Sequence, residues 1–136
     1  LPVFDLNQAV RTAAFVAESV QKRRIEAVHD VGEGGVAVAV AEMAIDTGVG
    51  VQLDSYDNHI SMFNESGGRV LVAVADDELD DFLEEAASKQ VPAKMIGRTG
   101  GSLLEFGPAV KIPLDALIAA SLNQLPEALG QGTVSA

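Results

Sequence analysis

Two glycine-containing turns carry polar side chains. The types and the spacing of these side chains are suited to chemistry. The first turn, residues 29–35, reads His-Asp-Val-Gly-Glu-Gly-Gly, and the second turn, residues 63–68, reads Phe-Asn-Glu-Ser-Gly-Gly. Each turn adjoins an apolar run, as expected where a polar site is held by buried elements. The candidate site residues are Asp30, Gly34, Gly35, Glu65 and Ser66.

The first turn connects a predicted strand to a predicted helix. Backbone N–H groups at a helix N-terminus can bind an anion such as a phosphate or a carboxylate. The glycine spacing fits neither the G-x-x-x-x-G-K-S/T nor the G-x-G-x-x-G pattern, so the common nucleotide-binding loops are excluded. Alternatively, Gly34 and Gly35 only permit tight strand–helix packing, and Glu33 would oppose an anion. Both interpretations remain open.

Asp30 lies at the carboxyl end of the predicted strand, where its carboxylate could hold Mg²⁺ together with a substrate phosphate. The alternative is that Asp30 caps the turn by accepting backbone N–H bonds. His29 could act as a base oriented by Asp30, but neighbouring strand residues point to opposite faces. We therefore interpret His29 as a partly buried structural residue. The spacings define no Ser–His–Asp arrangement and no carboxylate pair, so no catalytic residue is predicted.

The second turn offers groups for ligand recognition. Glu65 can accept a hydrogen bond from a ligand hydroxyl or amide, and Ser66 can donate one. Gly67 and Gly68 allow close backbone approach. The alternative is a simple turn into a strand, with Arg69 paired to a nearby acid.

The composition restricts the functional class. The 136 residues carry a net charge of −11, which opposes binding to nucleic acid or to an anionic membrane. There is no cysteine, so disulfides, thiolate chemistry and zinc–cysteine sites are excluded. The longest apolar run is too short to span a membrane, and no leader segment is visible. We expect one cytoplasmic domain over residues 1–130, followed by a flexible tail at 131–136.

Hydrophobic periodicity predicts the element order α-β-α-β-β-α-β-β-α. The predicted helices cover residues 6–23, 34–47, 76–87 and 114–125. The predicted strands cover residues 25–31, 49–53, 69–75, 93–99 and 102–106, with a shorter one at 110–112. The middle six elements follow the ferredoxin-like β-α-β-β-α-β order, which predicts an α+β fold with a largely antiparallel (mixed) sheet and helices packed on it. Gly100 and Gly101 predict a hairpin.

Three predicted helices have informative surfaces. The first carries apolar residues at helical spacing, with Asp5 or Asn7 as its cap. These apolar residues are Leu6, Val10, Ala13, Ala14, Ala17 and Val20. The helix at 34–47 is apolar nearly all round, which predicts burial between other elements or against a partner. The acidic residues of the helix at 76–87 are interpreted as a solvated helix face rather than as a metal-binding cluster.

The segments 29–44, 62–72 and 96–101 closely resemble the C-terminal domain of the phosphoribosylformylglycinamidine synthase family, as found in its synthetase or large subunit. The resemblance implies an aminoimidazole ribonucleotide synthetase C-terminal domain-like fold. It also implies a place in an ATP-dependent carbon–nitrogen ligase of purine biosynthesis, which converts formylglycinamide ribonucleotide and glutamine-derived ammonia to formylglycinamidine ribonucleotide. ATP and Mg²⁺ would serve the full-length enzyme, and this domain alone would require neither. The fragment would be inactive by itself.

The resemblance also implies roles for the two turns. In the family's first-half copy, an Asp matching Asp30 helps to hold magnesium, and a Glu-Ser-Gln turn matching residues 65–67 contacts substrate. Here Gly67 replaces the Gln and Gly32 replaces the usual Ser. The candidate residues are therefore expected to line a vestigial or auxiliary anion-binding cleft.

The partners implied are the other domains of the synthetase, with a glutaminase and small partner subunits as candidates. The isolated chain is expected to expose apolar surface and to self-associate. One alternative is another enzyme of the superfamily, of the selenophosphate or thiamine-phosphate type, against which residues 63–66 and 96–98 argue. The other is a stand-alone regulatory module that binds a small ligand on a ferredoxin-like sheet.

Overall fold

A computed structural model describes residues 4–54, 59–108 and 110–130 of the chain. Within these ranges the helices are α1 Leu6–Gln21, α2 Gly35–Thr47, α3 His59–Phe63, α4 Leu79–Ser88 and α5 Leu114–Ala128, with a 3-10 turn at Asp76–Glu78. The strands are β1 Ala27–Asp30, β2 Val51–Leu53, β3 Val70–Ala73, β4 Gly97–Thr99, β5 Leu103–Phe106 and β6 Val110–Pro113. None of the helices described here has the length and apolar character needed to cross a membrane.

The strands form two sheets. β1 pairs antiparallel with β3. The other sheet has the order β4-β2-β5-β6, in which β2 and β5 are parallel and the remaining pairs are antiparallel. The predicted α+β class, with helices and largely antiparallel or mixed sheets, is confirmed. The pairing differs from a single ferredoxin-like sheet, because β2 pairs with β4 and β5 rather than with β3.

The predicted hairpin around Gly100 and Gly101 is wrong. β2 lies between β4 and β5, the two strands that were expected to pair with each other. Gly50, just before β2, donates its N–H to the Gly101 carbonyl at 3.0 Å and accepts from the Gly100 N–H at 2.7 Å. A Cβ at Gly50 would lie 2.5 Å from the Leu103 carbonyl oxygen, so only glycine admits this close backbone approach.

The chain divides into two compact units. The first comprises Leu1–Val40 and Asp57–Met95, and the second comprises Ala41–Tyr56 and Ile96–Ala136. Helix α2 runs from the first unit into the second. The single domain at residues 1–130 stays a prediction. The predicted tail at 131–136 lies outside the described part of the chain.

The core of the first unit is built around two phenylalanines. The rings of Phe15 on α1 and Phe82 on α4 pack with their centroids 4.9 Å apart, tilted by 49°. Ala86 and Val91 are buried in the same cluster. The other side of α4, including Asp80, is exposed, as predicted for a solvated acidic face.

Helix α1 is capped as predicted, since the Asp5 carboxylate accepts the Gln8 N–H at 3.0 Å. The buried residues of α1 are Phe15 and Ser19. The hydroxyl of Ser19 donates to the Phe15 carbonyl at 2.8 Å, which satisfies this buried polar group. The apolar stripe that predicted the helix lies on the opposite side and is exposed, with Leu6 at 66%.

An ion network joins the C-terminal end of α1 to α4. Its members are Glu18, Lys22, Arg24, Glu78, Glu85 and Lys89. Lys22 lies 2.6 Å from Glu18, and Lys89 pairs with both Glu18 and Glu85. Arg24 pairs with Glu78 at 3.1 Å and also with Glu85.

Two cations of this network also cover the aromatic pair. The Arg24 guanidinium lies 5.7 Å from the centre of the Phe82 ring, and the Lys89 ammonium lies 5.6 Å from the centre of the Phe15 ring. Both distances are within the range of cation–π attraction. The ion network therefore closes one side of the core that it borders.

The ion network should make stability depend on pH. Hydrogen bonds from Lys22 and, to a smaller extent, from Lys89 lower the pKa of Glu18 from 4.5 to about 2. Because the folded pKa lies below the unfolded one, the stabilisation is complete above pH 4.5 and is lost as the pH falls toward 2. We expect Glu18→Gln to lower the melting temperature at neutral pH and to flatten its decline over this window, as measured by circular dichroism.

The matched control is Glu84→Gln on the exposed side of α4. This change removes the same charge outside the ion network, so the decline should keep its wild-type slope. Equal slopes for the two variants would contradict a stabilising role for Glu18.

Candidate functional site

The two glycine-containing turns lie against each other in the first unit. The Gly34 N–H donates to Glu65 Oε1 at 2.9 Å. The backbone of the segment before Glu65 passes directly over Gly35, where a Cβ would lie 2.6 Å from the Met62 carbonyl oxygen and 2.8 Å from that of Asn64. The structure therefore brings three candidate residues, Gly34, Gly35 and Glu65, together at the N-terminus of α2.

Glycine is required at position 35 for two reasons. Its φ of +65° lies in the left-handed region, which disfavours a side chain. Any side chain would also overlap the crossing backbone of the second turn. The Gly35 N–H donates to the Gly32 carbonyl at 3.1 Å, which closes the first turn on itself. Gly35 therefore packs closely against the second turn, whereas the sequence suggested packing between the strand and the helix.

The second turn is held by its own hydrogen bonds. The Asn64 side-chain oxygen accepts from the Ser66 N–H at 2.8 Å and from the Ser66 hydroxyl at 2.6 Å. Arg69 donates through Nε to the Ser66 carbonyl at 3.1 Å and through Nη2 to the Asn64 carbonyl. The hydroxyl of Ser66 is thus bonded within the turn, and Arg69 fixes the turn by binding backbone carbonyls.

Asp30 lies at the end of β1, beside the second turn. β1 and β3 pair so that Asp30 is opposite Val70, and the Val31 N–H continues the ladder by donating to the Arg69 carbonyl at 3.0 Å. The Asp30 side chain is 88% exposed. A carboxylate with this exposure is open to a ligand from outside the chain.

His29 has a different environment from Asp30. Its side chain is 25% exposed, and Nδ1 donates to the backbone carbonyl of Asp30 at 2.7 Å. The distance from Nδ1 to the Asp30 carboxylate is 3.9 Å, too long for a hydrogen bond. These contacts agree with the interpretation of His29 as a structural residue.

The electrostatics of the site follow from the placement of Glu65. A carboxylate at a helix N-terminus interacts favourably with the helix dipole. The Gly34 N–H is hydrogen-bonded to a carboxylate of the chain itself. The sequence analysis had considered this N–H as a donor to an external anion. In the described ranges, no group of three or more His, Asp or Glu side chains is arranged to hold a metal ion.

Sequence reasoning missed Asn64 as an organiser of this site, and it considered Arg69 only as the partner of a nearby acid. Asn64 accepts both bonds from Ser66, and Arg69 bonds two carbonyls of the same turn. A signal was present for Asn64, because an Asn two residues before a Ser is typical of an Asx turn. The same signal does not identify Arg69, whose acceptors are backbone atoms.

Comparison with protein families assigns the chain to a class of protein. Residues 4–104 match the protein family described as "AIR synthase related protein, C-terminal domain". This match spans most of the chain, and the chain therefore belongs to that family.

Several curated proteins are similar to this chain. The phosphoribosylformylglycinamidine synthase subunit PurL of Rhizobium meliloti (strain 1021) is 33% identical over 132 residues, which are 95% of this chain and 18% of that protein. The same subunit from Methylocella silvestris is 35% identical over 129 residues, which are 93% of this chain and 18% of that protein. The chain thus spans less than a fifth of the length of these relatives.

Solved structures show the same fold. PurL of Thermotoga maritima complexed with FGAR superposes with a TM-score of 0.74 at 17% identity, covering 85% of this chain and 22% of that chain. The PurLQS structure from the same organism gives a TM-score of 0.75 at 17% identity, covering 87% of this chain and 23% of that chain. These likenesses are to one part of much longer proteins.

The close crossing at Gly35 predicts a large effect of a single methyl group. We expect Gly35→Ala to lower the free energy of unfolding by about 3 kcal/mol or more, from overlap with the second turn plus left-handed strain. Urea denaturation measures the change. At Gly32 the nearest atom to an added Cβ is 3.7 Å away. Gly32→Ala should therefore change stability by no more than about 0.5 kcal/mol. Similar losses in both variants would contradict the crossing.

The bond between Gly34 and Glu65 predicts a capping effect. Glu65→Ala removes the acceptor at the start of α2 and should cost about 1 kcal/mol of unfolding free energy. Glu65→Gln keeps an oxygen acceptor and loses only the charge, so it should cost about half as much. Guanidinium denaturation distinguishes the two. Glu33→Ala removes an exposed acid of the neighbouring turn as a control, and an equal cost there would refute the cap.

Proposed function

We propose that this chain is the C-terminal domain of a phosphoribosylformylglycinamidine synthase and contributes to catalysis only as part of that enzyme. One observation carries the proposal. Between 92% and 99% of the chain matches a segment of PurL subunits at 30–35% identity, and that segment is 17–19% of each subunit. The complete enzyme would convert formylglycinamide ribonucleotide and glutamine-derived ammonia to formylglycinamidine ribonucleotide in an ATP-dependent ligation.

We propose ATP and Mg²⁺ as cofactors of the complete enzyme. Structures described as Thermotoga maritima PurL complexed with ATP and with AMPPCP share this fold, each at a TM-score of 0.69 and 16% identity. Mg²⁺ is commonly held by one or two carboxylates together with substrate phosphates. The exposed carboxylate of Asp30 suits that mode, with the remaining ligands coming from a phosphate and from other parts of the enzyme.

The two turns act mainly as a support in this proposal. Gly34 and Glu65 are bonded to each other, and Ser66 is bonded to Asn64. With these groups engaged internally, the auxiliary role falls chiefly to Asp30, whose carboxylate would reach an anionic ligand through a bound Mg²⁺. The chain supplies no catalytic residue, and it is inactive alone because the reacting groups are bound elsewhere in the enzyme.

The partners in this proposal are the other domains of the synthetase. Further subunits, a glutaminase and a small protein, are supported by the PurLQS relative, whose name indicates an assembly. The purine-biosynthetic relatives support a cytoplasmic location. A selenophosphate or thiamine-phosphate enzyme would be expected to have relatives of that kind, whereas the similar curated proteins given above are PurL subunits.

A segment exchange tests the proposal. The matching 18% of Rhizobium meliloti PurL is replaced by this chain, and the chimera is introduced into a purine auxotroph that lacks the synthase. We expect growth without added purine, since this chain and the replaced segment belong to the same family and share its fold. The same PurL with the segment deleted should not support growth.

The corresponding segment of Methylocella silvestris PurL serves as the matched exchange. If that exchange supports growth, and the chimera with this chain is soluble and folded by circular dichroism yet inactive, the assignment to this enzyme fails. Purified chimeras assayed for ATP-dependent product formation with ammonium give the same comparison without the cell.

A further inference from the structure

Helix α1 carries an exposed apolar seam along its outer side. The seam consists of Leu6, Val10, Ala13, Ala17 and Val20. Leu6 is 66% exposed, Val10 60% and Val20 45%. The spacing alternates between four and three residues, which is the spacing of a coiled-coil contact line. Such a line is suited to another helix laid along it.

The positions of α1 that flank the seam are uncharged. At 100° per residue, the positions that flank it are Asn7, Ala9, Ala14, Val16 and Gln21. The charged residues Arg11 and Glu18 lie toward the other side, where Arg11 Nε donates to the Gln90 carbonyl at 3.3 Å and Glu18 belongs to the ion network. In a chain with 21% charged residues, this uncharged stripe marks a contact surface rather than a solvated one.

We propose that the seam binds the same seam of a second copy of this chain, with the two α1 helices antiparallel. A two-fold axis at Ala13 places Leu6 opposite Val20 and brings Val10 within one helical position of Ala17. Each large side chain near the centre then meets a small one, and the two alanines at the axis permit close approach. The surface is self-complementary in this orientation.

The charges at the ends of α1 favour the antiparallel orientation. Asp5 lies at the N-terminus, and Arg23 follows the C-terminus. Antiparallel pairing brings Asp5 of each copy near Arg23 of the other and opposes the helix dipoles favourably. A parallel pair would set like charges together in a chain of net charge −11. The helices are about 24 Å long, so the pair is small and its association should depend strongly on concentration.

Sedimentation velocity over a wide concentration range tests the association. The unaltered chain should rise from 14.1 kDa toward twice that mass as concentration increases. Val10→Glu places a charge in the exposed seam without touching the core and should hold the mass at one chain. Gln8→Glu adds the same charge on the opposite side of the same helix and should associate as the unaltered chain does. A monomer at every concentration, or equal loss in both variants, overturns the proposal.

Cross-linking tests the orientation, because the chain has no cysteine of its own. With oxidised glutathione, Ala13→Cys should form a disulfide dimer, since the two copies of this residue meet at the axis. Val20→Cys should not, because its two copies would lie about 21 Å apart, beyond the reach of a disulfide. Cross-linking of both variants, or of Val20→Cys alone, overturns the antiparallel pair. These results do not depend on the segment exchange, so the two proposals fail separately.

Discussion

The missing side chain at Gly35 is the constraint on which the arrangement of the two turns depends. The backbone of the second turn passes so close to this residue that a Cβ would lie 2.6 Å from the Met62 carbonyl oxygen. This approach places Glu65 within hydrogen-bonding distance of the Gly34 N–H and brings Arg69 to the end of β1. A backbone contact, rather than a charged pair, therefore determines where the polar groups lie.

That arrangement is the basis of our proposal that the site acts as a support. The N-terminus of α2 has the chain's own carboxylate as its anion, and the hydroxyl of Ser66 is used inside its turn. Asp30, by contrast, projects from the end of β1 with little burial. We propose that within the synthase this acidic group contributes to a ligand that is bound mainly by other parts of the enzyme.

The features of the fold that depend on local signals could be predicted from the sequence. The extent of α1 and its Asp5 cap follow from periodicity and capping chemistry, and the acidic α4 follows from its amphipathic pattern. Periodicity did not show which side of α1 is buried, since Phe15 and Ser19 lie opposite the longer apolar stripe. α3 was missed because its five residues are too few for a periodic signal.

Contacts between distant residues were beyond local reasoning. The hairpin prediction failed because Gly50, far from Gly100 in sequence, brings β2 between the two strands. At the site, the types of the candidate residues could be read from the sequence, but their partners could not. The bond from Gly34 to Glu65 spans 31 positions, and only the folded backbone brings them together.

Amide hydrogen exchange at Gly34, followed by NMR on the unaltered chain, tests the contact between the turns most directly. A Gly34 N–H bonded to Glu65 should exchange at least about tenfold more slowly than the same glycine in an unstructured peptide. Exchange at the unstructured rate, with α2 itself protected, would contradict the packing of the two turns on each other.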